Sequence, residues 1–284
     1  MKNIMPYIAA GISIIFWSSA FPAVRYTLGY FSPESIMLYR FLVASSLLMI
    51  YCAVRKVPPP SKKDLPILAL TGFFGVFLYM WAFNTGSQMV ISGISGFIIA
   101  SSPIFTLILS ILFLKEKSGT KTWAGVLISF IGIIIIAVTQ ITDMQLNFGI
   151  WLLLFAATST SIYFVLQKFI RRNYTAIQAT AYPMAIGTVP MLIFIPGLLY
   201  ELPGTPMVAH GLIIYLGVLP GALAYFLWGY ALAAAKKTIY ITSFLYLSPF
   251  LSSILAFFWL GEVMPVLALF GGVVVIAGLV ISRQ

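Results

Sequence analysis

Apolar residues fill this chain in long runs rather than alternating with polar ones. A run of about 20 such residues, wound as a helix, spans the roughly 30 Å hydrocarbon core of a bilayer. Strands of a membrane barrel would alternate apolar and polar positions, so the pattern predicts helices. The runs cover about 6–28, 33–54, 65–84, 90–114, 120–140, 147–168, 175–199, 209–234, 238–260 and 263–281. Turn chemistry divides most of them, as at Phe31-Ser32-Pro33, Pro58-Pro59-Pro60 and Pro203-Gly204. Only Gly261 and Glu262 part the last two, which demands a tight turn there. The expectation is an all-α integral membrane protein with ten transmembrane helices.

Composition sharpens this picture. Of the 284 residues, 61% are hydrophobic and 8% charged, against about 45–50% and about 25% in soluble domains. The net charge of +10 follows from topology. Lys and Arg favour short cytoplasmic loops. With the N-terminus inside, 14 of the 16 basic residues fall on the cytoplasmic side; Arg25 and Arg40 are the exceptions. Glu34, Asp143, Glu201 and Glu262 fall outside. The basic balance therefore needs no nucleic-acid partner, and both termini are expected in the cytoplasm. Met1-Lys2-Asn3 runs straight into the first apolar stretch without a small-residue cleavage site, so that stretch reads as a helix rather than a signal peptide. One cysteine, Cys52, allows no intramolecular disulfide, and one histidine, His210, leaves a metal site or His-based catalytic cluster short of ligands. No cofactor or metal is implied, and an intramembrane enzyme is disfavoured.

The chain repeats itself at a constant offset of 146 residues: Gly75 with Gly221, Tyr79 with Tyr225, Ser102 with Ser248, Pro103 with Pro249, Glu116 with Glu262, Gly125 with Gly271 and Gly132 with Gly278. The repeats occupy 1–140 and 147–284, with five helices each. An odd number makes the second copy enter from the opposite side. Inverted repeats are typical of carriers whose site lies near the midplane between the halves.

Helix 1 carries Trp17-Ser18-Ser19-Ala20-Phe21-Pro22-Ala23, helix 2 carries Pro33-Glu34 followed by Arg40, and Ser101-Ser102-Pro103 to Glu116 is echoed by Ser248-Pro249 to Glu262. In this order and spacing the chain resembles the EamA family of the drug/metabolite transporter superfamily over essentially its whole length. The resemblance implies a basket-shaped carrier of two five-helix halves around a central cavity, in a bacterial cytoplasmic membrane. It implies export of amino acids or related metabolites. Other members of the superfamily carry drugs, nucleotide-linked sugars and other solutes, so the solute stays open. The expected partners are a small-molecule substrate and the lipid bilayer, with a monomer as the working unit.

The candidate substrate-binding residues are Trp17, Ser18, Ser19, Tyr79, Asn84, Ser101, Tyr163, Tyr225 and Trp228. They offer rings and a few polar handles, the usual content of a ligand site. Each has a plainer alternative: aromatic packing for the rings, helix–helix contact for the serines. Pro103 and Pro249 either bend their helices or free a carbonyl for a ligand, the bend being the expectation. Arg40, a basic residue well inside a span, either meets a substrate carboxylate or holds helix-end carbonyls. The second role is the expectation. No acid lies at mid-depth, so no carboxylate proton relay is visible.

Overall fold

A computed structural model describes residues 4–114, 119–138, 141–142, 145–146, 148–170, 173–234, 241 and 243–282. Lys2, Lys115, Glu116, Lys117, Asp143, Arg171, Arg172, Lys236, Lys237 and Arg283, which carry much of the expected charge asymmetry, lie outside the described residues.

The helices are α1 (Met5–Thr27), α2 (Pro33–Val54), α3 (Lys62–Ser87), α4 (Ser92–Phe113), α5 (Thr120–Val138), α6 (Phe148–Ile170), α7 (Ala176–Glu201), α8 (Met207–Ala234), α9 (Ser248–Leu260) and α10 (Val266–Ser282). Among the described residues, α1 to α4 and α6 to α8 are long and apolar enough to cross a membrane; α5, α9 and α10 are shorter apolar helices. A minimal hairpin, Ile141–Thr142 against Gln145–Leu146, lies between α5 and α6.

Helix starts follow local chemistry. Ser32 caps α2 by accepting from Ser35 N, with Pro33 and Glu34 in the first turn. Thr175 and Gln178 form a reciprocal capping box at α7. Gly261, at φ +66°, ends α9 in the left-handed conformation that the tight turn requires.

Several spans are not uniform, among them α7, which contains a 3-10 segment at Val189–Phe194. α3 contains a π-helical segment, Phe73–Leu78, and α8 contains another, Gly217–Leu223. They fall at nearly equivalent places in the two repeats, each just before a repeated tyrosine, Tyr79 or Tyr225. α4 breaks at Ala100 and Ser101, between Ser92–Ile99 and Ser102–Leu114. In the second repeat a 3-10 turn, Ser243–Leu247, precedes α9 at the matching place.

α5 and α10 approach at backbone distance. A Cβ on Gly132 would lie 2.6 Å from the carbonyl oxygen of Gly271, and one on Gly278 would lie 2.5 Å from that of Gly125. The 146-residue offset exchanges these two contacts, Gly132 for Gly278 and Gly125 for Gly271. A two-fold axis between the helices generates such reciprocal pairs. Ser129 adds a hydrogen bond to the Val275 carbonyl at 3.0 Å, across that same offset.

Each end of the molecule has its own ties. At one end Glu262 accepts from Ser92 N at 2.8 Å and stands 3.6 Å from Arg25 Nε. Arg25 in turn donates to the Ser87 and Gln88 carbonyls. One carboxylate thus fastens the α9–α10 turn to the ends of α1, α3 and α4. Nearby, Glu201 accepts from Ser32 N at 3.0 Å. At the opposite end Tyr174 donates to Asp64 at 2.7 Å, and this bond pushes the phenol above its ordinary pKa.

Two stability outcomes follow. Gly132→Val and Gly278→Val should each lower the thermal unfolding midpoint in detergent, at a cost of about 1–3 kcal/mol from overpacking, and by similar amounts because the offset exchanges the sites. Glu262→Ala should cost about 1–3 kcal/mol, chiefly from the unpaired Ser92 N–H. An unchanged midpoint for either set would contradict the corresponding contact.

Candidate functional site

Helix irregularities recur in both repeats. Proline lacks the N–H that would bond the carbonyl four residues earlier, and in hydrocarbon that carbonyl needs another donor. Pro103 leaves Ile99 O without its donor, and the Ser102 hydroxyl bonds it instead. Ser101 donates to Ile98 O at 2.5 Å. Pro183, inside α7, leaves Ala179 O, which receives Gln167 Nε2 at 2.7 Å. In the π-helical segment of α8, Pro220 O receives the Trp17 indole N–H at 3.0 Å. Side chains, two of them from other helices, thus satisfy the backbone where it departs from α geometry.

Between these irregular segments lies a cavity bounded by Trp17, Ala20, Phe21, Arg40, Tyr79, Met80, Phe83, Ile99, Ser102, Thr160, Tyr163, Phe164, Tyr225, Leu245 and Ser248. The space that a water molecule's centre can reach is about 50 Å³. At roughly 10–15 Å³ per water, it holds a few waters and not an amino acid. The lining comes from both repeats: Trp17, Arg40, Tyr79 and Ser102 from the first, Tyr163, Tyr225 and Ser248 from the second. It is aromatic and apolar, with hydroxyls and one charged group, Arg40.

The rings lock together. Trp17 stands 5.4 Å from Tyr225, edge to face, and 4.9 Å from Trp228. Tyr163 and Tyr225 lie 6.2 Å apart. The Tyr163 ring occupies the place a side chain at Gly75 would take, so the glycine of the first π-helical segment admits an aromatic residue of the second repeat. Since the Trp17 N–H is committed to Pro220 O, Trp17 presents the cavity with a ring face and no free donor.

Of the candidates read from the sequence, Trp17, Tyr79, Tyr163 and Tyr225 line the cavity, and the other five do not. Ser18 is fully buried and donates to Ser248 at 3.2 Å, joining α1 to α9. Ser19 pairs with the Tyr215 hydroxyl. Asn84 donates to Pro33 O at 3.1 Å and ties α3 to the start of α2. Ser101 turns to its own helix, and a rotation of one residue brings Ser102 to the cavity instead. Trp228 packs behind Trp17. Pro103 and Pro249 are not mid-helix kinks: each occupies the first turn after a break, and the carbonyl that Pro103 leaves, Ile99 O, takes the Ser102 hydroxyl.

Arg40 also departs from expectation. Among the described residues it holds no helix-end carbonyl. It is 2% exposed, its Nη1 donates to Met80 Sδ at 3.7 Å, and its Cζ lies 5.5 Å from the Phe41 ring centroid. Its Nε has no partner among the described residues. The sequence reading also passed over Met80, Phe21, Phe83, Thr160 and Phe164, which look like ordinary apolar or small filling. For Ser102 and Ser248 the signal was present in their repeat match. Among the described residues no group of His, Cys, Asp and Glu can hold a metal.

The sequence pattern of the EamA-like transporter family matches this chain twice, over residues 4–138 and 147–284. The chain is 35% identical to an uncharacterized transporter, YdfC, of Bacillus subtilis (strain 168), covering 98% of this chain and 90% of that protein. It is 34% identical to a protein named a probable terminal-alkyne amino-acid exporter of Streptantibioticus cattleyicolor, covering 96% and 91%. One crystal structure superimposes with a TM-score of 0.70 at 15% identity, covering 99% of this chain and 96% of its own; at that identity the likeness shows the fold alone. With both halves of the chain matched and relatives this similar over nearly full length, this protein belongs to the EamA-like transporter family and is a multi-pass membrane transport protein.

Proposed function

We propose that the protein is a secondary, alternating-access carrier that exports amino acids or closely related small metabolites across a bacterial cytoplasmic membrane. In this reading ten transmembrane helices form two inverted five-helix repeats, 1–140 and 147–284, with both termini cytoplasmic. The supporting observation is that one cavity draws its walls from both repeats. A site between inverted halves is reached from one side or the other as the halves rock. A continuous channel would need a wetter path than a space of about 50 Å³. The cavity must widen to admit a solute, and the π-helical segments and helix breaks around it are places where the backbone can yield. The amino-acid choice draws on the exporter name carried by the Streptantibioticus relative, and on a lining of rings and hydroxyls suited to a small amphipathic solute.

The carrier reading is tested by counterflow in proteoliposomes. Labelled leucine outside should exchange with unlabelled leucine inside, saturably and faster than net flux. Linear flux without exchange would mean a channel; exchange of sugars or nucleotides with no response to amino acids would remove the substrate choice. Tyr79→Ala should raise the half-saturation concentration about fivefold, the equivalent of about 1 kcal/mol of ring contact, while expression stays near normal. In a Cys52→Ala background, Lys62→Cys should be labelled by an impermeant thiol reagent only after the cells are permeabilised.

A further inference from the structure

We infer that Arg40 is the site that receives a carboxylate on the transported solute, which makes small monocarboxylates with an apolar body the substrate class. The inference deepens the carrier reading and rests on it. Arg40 is 2% exposed and forms part of the cavity wall. An arginine keeps its charge in proteins, and a buried charge without a counter-charge is strongly disfavoured. Yet the residues around this guanidinium do little to compensate it. Its contacts are a methionine sulfur at 3.7 Å, a weak acceptor, and a neighbouring ring at 5.5 Å. Nε is buried and, among the described residues, unpartnered. The ion pair found among the described residues is Arg25 with Glu262, at the end of the molecule.

The planar guanidinium offers a fork of donors that matches a carboxylate with two parallel bonds. Tyr79 and Tyr225 line the same space, and Phe21, Phe83 and Trp17 supply the apolar wall for a side chain. A solute carboxylate would therefore cancel the uncompensated charge, while its body fills the aromatic part. Among the described residues the lining also lacks any acid, so nothing there demands an ammonium group. The carboxylate is required; the amino group of an amino acid is dispensable.

The test is binding to the full-length protein in detergent, read as thermal stabilisation, which needs no transport. The probes are isocaproate, leucine, and isocaproamide, the neutral amide of the same shape as isocaproate. Isocaproate and leucine should stabilise the wild type, and the amide should not. Arg40→Lys, which keeps the charge and loses the fork, should weaken isocaproate binding about tenfold. Arg40→Gln should abolish it, and the amide should then bind at least as well as the acid. Equal stabilisation by acid and amide in the wild type overturns the assignment, and this comparison does not require any variant to fold. Stabilisation by chloride equal to that by isocaproate would give Arg40 to an inorganic anion and also overturn it. So would the failure of a panel of aliphatic and aromatic monocarboxylates to bind at all. If counterflow of a neutral solute persists while carboxylates fail here, the carrier survives and this inference does not.

Discussion

A backbone carbonyl released inside a membrane helix must find a new donor, because the hydrocarbon offers no water to replace it. That constraint organises the middle of this molecule. Pro103, Pro183 and the π-helical segment around Pro220 each release a carbonyl, and Ser102, Gln167 and Trp17 answer them. Two of these donors come from another helix, so the remedy for a local defect is also a tertiary contact. The irregular backbone gathers where side chains can serve it, and the cavity forms beside it. Trp17 shows the link most plainly: its N–H repairs α8, and its ring becomes the wall of the cavity.

A second constraint divides labour along the helices. The middle is held by packed rings and hydroxyl-to-carbonyl bonds; the ends are held by Glu262, Glu201 and Tyr174, each bonding backbone or a neighbouring side chain across elements. α5 and α10 lie backbone to backbone through Gly132, Gly271 and Gly278. Glycine fits such a contact because close helix approach in a membrane depends on small residues, with no hydrophobic force to draw the helices together. Among the described residues this paired unit contributes none to the cavity, which leaves the other helices to carry the site.

Much of this was legible in the sequence, because hydrocarbon imposes length and apolarity directly on each span. The positions of the apolar runs, the tight turn at Gly261 and the pairing of Tyr79 with Tyr225 all depend on pattern alone. The site was legible only in part. Four of the nine expected binding residues face the cavity, since depth in a helix can be counted but azimuth cannot. Ser101 and Ser102 differ by about 100° around the axis, and that angle decides which one meets the cavity. Asn84 looked like a ligand group, yet it serves a carbonyl on another helix, at Pro33, as the Gln167 amide does at Ala179. No sequence spacing announces such a bond. The π-helical segments carry no signature beyond their glycines, and Arg40 owes its meaning to a negative fact, the lack of an acid near it among the described residues.

The central claim is that one cavity between the two repeats opens to each side in turn. A cysteine at Ser248, in a Cys52→Ala background, tests it most directly. Sealed vesicles of each orientation would be treated with a small membrane-impermeant thiol reagent, with and without leucine on the opposite side. The account predicts labelling from either side, with solute shifting the two rates in opposite directions. Labelling from both sides at rates that solute slows together would describe an open pore, and no labelling from either side would mean that the cavity is sealed packing; either result would contradict the account.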